Sequence, residues 1–247
     1  MRAAVISDIH SNLPALQAVL ASIEESSPDE IWCLGDVVGY GAFPDGCAEL
    51  VRESCELCLV GNHDLAALDR LDISAFSSAA ATAVRWTREE ASAETMAFLG
   101  GLEPSAERAG IGLFHASPRD PVWEYVLSTD QAEDCMDIQG QRVALIGHSH
   151  VALFFVRPDG EPDGGSARGA QAGDGSTLEL REGTWLINPG SVGQPRDGDP
   201  RAAWLEIDTD ELSARYHRVE YDIDAAATAI REAGLPKHLG DRLEVGQ

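Results

Sequence analysis

Five short apolar runs in this sequence each end in residues able to bind metal, and that repetition restricts the fold more than any other feature. Ala3–Ile6 runs into Ser7-Asp8-Ile9-His10, Ile31–Leu34 into Gly35-Asp36, and Leu57–Val60 into Gly61-Asn62-His63-Asp64. Ile111–Phe114 runs into His115, and Val143–Ile146 into Gly147-His148-Ser149-His150. An apolar run bounded by Gly reads as a strand covered on both faces. A lone carboxylate at the end of such a strand, as at Asp36, is costly unless something positive meets it. Five strand ends carrying Asp, His and Asn point to one site at one edge of a sheet.

Between the first two runs, Asn12 and Pro14 open a helix in which Leu13, Leu16, Leu20 and Ile23 recur at helical spacing, until Ser26-Ser27-Pro28 stops it. The opening is therefore a βαβ unit with parallel strands. Pro44 starts a second helix, and Leu65–Leu102 is Ala-rich and helical, broken near Asp72 and Arg88. Ser117–Pro121 holds two prolines and reads as a rigid turn, and Ser128-Thr129-Asp130 caps a short helix. Short strands dominate the last third: Val151–Arg157, Leu178–Arg181, Thr184–Asn188, Ala202–Ile207 and Ser213–Tyr221. The tract 158–176, rich in Gly, Asp and Ala, has too little apolar surface to pack and reads as a flexible loop. A helix near Asp224–Ala233 and a polar tail end the chain. An α/β first half and a β-rich second half suit a single domain over residues 1–247, with two sheets packed together and helices outside.

Composition excludes several function classes. Charge stands at -24, from 42 acidic against 18 basic residues, and Lys237 is the sole lysine. Such a surface repels nucleic-acid backbone and anionic membrane, so non-specific binding to either is not expected. It serves solubility, and it would also suit a high-salt environment that screens the repulsion. No run reaches the roughly 20 apolar residues of a membrane helix. The first strand begins at once, leaving no room for a signal peptide, and the five cysteines, odd in number and partly within strand runs, read as reduced core thiols. These features together suggest a cytoplasmic protein.

Asp8-x-His10 and His148-x-His150 share one spacing, and side chains two apart on an extended segment point the same way. Each pair can bring two ligands to one place, while Asp36, Asn62 and His115 bring one each. A single Asp-x-His pair or a lone histidine carries little weight, but five of the seven histidines fall at or just beyond strand ends. These seven potential ligands, all N and O donors, suit Mn, Fe, Zn, Co or Ni. One ion does not need seven protein ligands; two ions sharing a bridging carboxylate do.

Asp8-x-His10, Gly35-Asp36, Gly61-Asn62-His63-Asp64, His115 and Gly147-His148-Ser149-His150, in this order, resemble the signature of the calcineurin-like metallophosphoesterase superfamily. Asn188–Arg196 is similar to the tail of its small prokaryotic phosphodiesterase-type members. The resemblance implies a four-layer α/β/β/α sandwich of two mixed β-sheets flanked by helices, with a dinuclear centre. It implies one ion on Asp8, His10, Asp36 and His150 and another on Asp36, Asn62, His115 and His148, with Asp36 bridging. Two divalent ions, Mn²⁺ being the expected species, would generate a bridging hydroxide for in-line attack on phosphorus. His63 would face the substrate and protonate or stabilise the leaving oxygen, with Asp64 orienting it and favouring the imidazolium. The alternative for Asp64 is a helix cap. Arg119 and Arg196 are candidates to hold substrate phosphate.

The expected activity is hydrolysis of a small-molecule phosphodiester. A phosphomonoesterase, including a protein or dinucleotide-polyphosphate phosphatase, is the alternative within enzymes. The protein-phosphatase branch usually carries Asp-Arg after the bridging Asp and Glu after Asn-His, where this chain has Gly39-Tyr40 and Asp64. A non-catalytic scaffold on the same fold would have lost ligands or the histidine; here all are kept.

Overall fold

The computed structural model describes residues 1–160 and 166–247. Two six-stranded mixed sheets pack face to face. In the first, β3 (Leu57–Cys58), β2 (Glu30–Cys33) and β1 (Arg2–Ile6) run parallel. The antiparallel strands β11 (Ala202–Asp208), β12 (Ser213–Val219) and β9 (Thr177–Glu179) complete it. The second sheet has the order β4 (Ser105–Arg108), β5 (Ile111–Phe114), β6 (Val143–Leu145), β10 (Thr184–Pro189), β7 (Ala152–Arg157), β8 (Arg168–Gln171). Its β5, β6 and β10 are parallel.

Period-two alternation accounts for the layering. Ala3, Val5, Trp32 and Leu34 point inward and meet Leu113, Leu145 and Ile187 of the other sheet in one core. Their neighbours Ala4, Ile6 and Cys33 point outward, under α1 (Leu13–Ser26) and α2 (Pro44–Ser54). Outside the second sheet, α6 (Thr129–Met136) covers Ala144, Ile146 and Leu186 with Ala132, Cys135 and Met136. Each fully buried aliphatic side chain contributes about 1.5–3 kcal/mol, so slipping a strand by one residue would cost both cores at once.

Local sequence sets the element ends. Asn12 caps α1 through Ala15 N at 3.2 Å, and Ser128 with Gln131 forms a capping box on α6. The Ala-rich stretch is three helices, α3 (Asn62–Ala67), α4 (Ser78–Glu90) and α5 (Ala93–Gly100), with a 3₁₀ turn at Ile73–Ala75. α7 (Ile223–Glu232) and α8 (Lys237–Asp241) follow the last strand.

Two readings of the sequence need correction. The tract 158–176 is not wholly a loop: Arg168–Gln171 pairs antiparallel with Leu153–Val156, and residues 161–165 lie outside the described ones. The tail is not simply polar. Leu235, Leu239 and Leu243, spaced by four, are buried with Ile230, Ala79, Ala83 and Tyr40. No helix among the described residues is long and apolar enough to cross a membrane, and the five cysteines are free.

Candidate metal centre

The ligand-type residues leave their strands where the two sheets' ends meet, not at one edge of one sheet. Asp8, His10, Asp36 and Asn62 come from the first sheet's strand ends; His115, His148 and His150 come from the second. The route is also not extended. Asp8, His10, Asp36, His148 and His150 all have positive φ, from 52° to 62°. Left-handed backbone at non-glycine residues costs free energy and persists where the surroundings fix it. One consequence is that His148 and His150 part company: His150 joins Asp8 and His10, while His148 joins Asp36 and His115.

The segment after β10 ties the two sheets' loops together. Asn188 donates to Gly147 O at 2.6 Å and to Ser149 Oγ at 3.0 Å. Ser191 Oγ donates to Asp8 O at 2.8 Å, and the N–H groups of Val192 and Gly193 reach Ser7 O and Asp8 O.

Tautomers decide what this cluster can bind. His10 Nδ1 sits 3.1 Å from Val38 O, His150 Nδ1 2.6 Å from Gln194 O, and His115 Nδ1 2.9 Å from Leu34 O. A carbonyl accepts only, so each Nδ1 is the protonated one and each Nε2 presents a lone pair. Yet His10 Nε2 and His150 Nε2 face each other at 3.0 Å, with Asp8 Oδ1 3.4 Å from the latter. His115 Nε2 faces Asn62 Oδ1 at 3.1 Å. Asp36 Oδ2 lies 3.6 Å from both His10 Nε2 and His115 Nε2. Asp8 Oδ1 and Asp36 Oδ2 are buried and have no hydrogen-bond partner among the described residues. His148 gives Nε2 to Trp123 O at 3.1 Å, leaving Nδ1 free. Lone pairs aimed at lone pairs in a buried site repel unless a cation lies among them, so the donor set fits divalent metal.

Burial alone gives this centre the wrong charges for its shape. It pushes Asp8 up to about 7 and Asp36 well above the usual carboxylate range. It also holds His10, His148 and His150 well below the usual imidazole range. A bound cation favours both ionised carboxylate and neutral imidazole.

The remaining expected residues divide. His63 is buried within 4.8 Å of candidate ligand atoms on His10 and Asp36, and its backbone N–H donates to Asp36 Oδ1 at 2.8 Å. Its ring fits because Gly39 has no side chain; a Cβ there would lie 2.5 Å from His63 Nδ1. Asp64 does not orient it. Asp64 accepts from Val38 N and Gly61 N, both at 3.0 Å, while His63 Nδ1 has no partner. Asp64, in the first turn of α3, thus reaches back to the N–H of the N-cap residue Gly61. The expected imidazolium is not favoured either, because burial and then Arg196 lower the His63 pKa well below the ordinary value.

Arg196 stands at the centre. Its charge lowers His10, His63, His148 and His150, its Nε is buried without a partner, and its guanidinium lies 5.8 Å from the Tyr40 ring centroid. Arg119 does not join it: Glu124 and Asp134 occupy its guanidinium at the surface. Sequence reading missed Tyr40, whose ring lies 4.7 Å from His10 and 4.3 Å from His63. Its place between Gly39 and Gly41, straight after the Asp36 strand, was the available signal.

Gly61 exposes the tightness of the arrangement. A Cβ there would lie 2.1 Å from Asp36 Oδ1. Gly61→Ala should therefore displace Asp36 and weaken metal binding about 10–100-fold with every ligand intact, as outer-shell changes do. Isothermal titration with Mn²⁺ checks this; unchanged affinity would mean that the Asp36 position is not critical.

An α/β/β/α sandwich with an all-acceptor cluster at its sheet ends is the architecture of metal-binding phosphoesterases. The calcineurin-like phosphoesterase superfamily domain matches residues 1–210, and the chain belongs to that superfamily. An uncharacterized protein of Methanocaldococcus jannaschii is 39% identical over 257 residues, covering 99% of this chain and 98% of its own. The crystal structure of a metallophosphoesterase from Sphaerobacter thermophilus is also 39% identical, with a TM-score of 0.88 and coverage of 100% and 99%. A Pyrococcus horikoshii protein at 20% identity has the same fold, with a TM-score of 0.78 and coverage of 100% and 98%.

Proposed function

We propose that this chain is a metal-dependent phosphodiesterase that uses two divalent ions. Asp8, His10, Asp36 and His150 would hold one ion, and Asp36, Asn62, His115 and His148 the other. The observation that carries this reading is Asp36 Oδ2, unpartnered and 3.6 Å from an imidazole lone pair on either side. When bound, two such ions lower the pKa of water and draw charge from phosphoryl oxygens. Mn²⁺ is the expected ion, and Fe, Zn, Co or Ni suits the same donors.

The chain's own residues supply the rest. Arg196, with Nε unpartnered, offers N–H groups and positive charge to a phosphoryl oxygen in a protein otherwise strongly acidic. His63, neutral because it is buried, donates a ring N–H hydrogen bond that stabilises charge on the leaving oxygen. The edge contact of Tyr40 with His10 and its tilted contact with His63 keep both rings in place and bulk water away.

The test joins composition to activity. Protein reloaded with Mn²⁺ should plateau at two ions per chain and hydrolyse bis(p-nitrophenyl) phosphate faster than p-nitrophenyl phosphate. Full activity at one ion would overturn the dinuclear assignment. Preference for the monoester would make the chain a phosphomonoesterase, and inactivity on both with two ions bound would favour a scaffold.

A further inference from the structure

An unbroken belt of aromatic rings crosses the metal centre. Phe76 packs on His63 with ring centroids 5.0 Å apart, and on Trp123 at 5.1 Å. Trp123 lies 6.1 Å from His148, and Tyr125 covers His148 at 4.0 Å. Two of these rings are not explained by folding. Among the described residues, neither Trp123 nor Tyr125 belongs to any of the four apolar cores, and Tyr125 is 42% exposed.

The segment that carries them is held rigidly. Asp120 Oδ1 accepts from Trp123 N at 3.1 Å, Trp123 O accepts from His148 Nε2, and Val126 is anchored in the core beneath α6. Exposed aromatic surface that is fixed in advance loses little freedom when a flat ligand stacks on it. It lies close enough to His63 and His148 for one molecule to stack there and place its phosphate at the centre.

We infer that Trp123 and Tyr125, backed by Phe76, stack an aromatic ring of the substrate, so that the preferred phosphoester carries a nucleobase. This rests on the phosphoesterase reading above. Stacking is indifferent to the base's hydrogen-bonding pattern, so purine and pyrimidine esters should both be accepted, the larger ring better.

The experiment compares adenosine 5′-monophosphate with ribose 5-phosphate, which share sugar and phosphate and differ by the base. Both are titrated calorimetrically into Mn²⁺-loaded protein. The nucleotide should bind about tenfold tighter or more, as one stacked base does. Tyr125→Ala should shrink that ratio several-fold and leave ribose 5-phosphate affinity unchanged, and Tyr125→Phe should restore it. Phe76→Ala, which removes the backing, should shrink it less. Equal affinities in the wild type would overturn the inference, as would a ratio that survives Tyr125→Ala. Hydrolysis of bis(p-nitrophenyl) phosphate, measured alongside, keeps the two proposals apart. Activity without base preference removes the stacking site and spares the phosphoesterase; base preference without hydrolysis does the reverse.

Discussion

Asp36→Asn should leave the protein folded and almost without metal, whereas Asp8→Asn should keep one ion. Asp36 Oδ2 is 3.6 Å from a ring Nε2 in each half of the centre, while Asp8 Oδ1 lies 3.9 Å from His10 Nε2 and 3.4 Å from His150 Nε2, both in one half. An amide at position 36 is uncharged, so two cations would lose the one charge between them. Loss of both ions removes several kcal/mol of transition-state stabilisation, or about a thousandfold or more in kcat. Asp8→Asn should lower kcat less and raise the metal concentration needed for half-maximal rate. Metal analysis after gel filtration, read beside kcat, checks both variants. Similar metal content and rate in the two would show that Asp36 does not bridge.

His63→Gln should keep both ions and lose rate in proportion to how much negative charge builds up on the leaving oxygen. A nitrophenolate departs unaided; an alkoxide or ribose oxygen is a strong base and does not. Removing one preorganised N–H donor from a developing oxyanion costs about 10²–10³-fold, and that deficit should appear with an alkyl or ribose leaving group and be far smaller with a nitrophenyl one. The neutral ring changes the expected pH signature. Since burial holds the His63 pKa well below its ordinary value, no histidine charge is lost on passing from neutral to mildly alkaline pH. Wild-type kcat should therefore show no decline there that the variant lacks. kcat/KM for both ester types, with metal content measured in parallel, decides the matter. An equal deficit for both would mean that His63 positions the phosphate; loss of an ion would make it a ligand.

The layering was legible because it depends on local rules. Unbroken apolar runs at Ala3–Ile6 and Ile31–Leu34 require a strand buried on both faces, and the Asn12 and Ser128 caps sit where their side chains can reach the first free N–H groups. What could not be read depends on the partner a group finds across the fold. Asp64 follows His63 in sequence, yet its oxygens find Val38 N and Gly61 N first. Arg119 lies in a turn with Glu124 nearby, and an exposed guanidinium is taken by the closest carboxylates. The left-handed residues at Asp8, His10, His148 and His150 redirect side chains in a way that no periodicity in the sequence records. Strand β8 gains its order from pairing with Leu153–Val156 rather than from apolar content of its own.

Every candidate ligand histidine leans on a main-chain oxygen: His115 on Leu34, His10 on Val38, His148 on Trp123 and His150 on Gln194. A carbonyl is present whatever the residue type, so point mutation at these four positions cannot delete the contact. The inner apparatus is thereby insulated from drift around it. At Trp123 the two demands fall on a single residue, its peptide oxygen steadying His148 while its indole would stack the base proposed above. Selection could exchange that indole for another side chain, and so change which esters are welcome, without loosening the grip on metal.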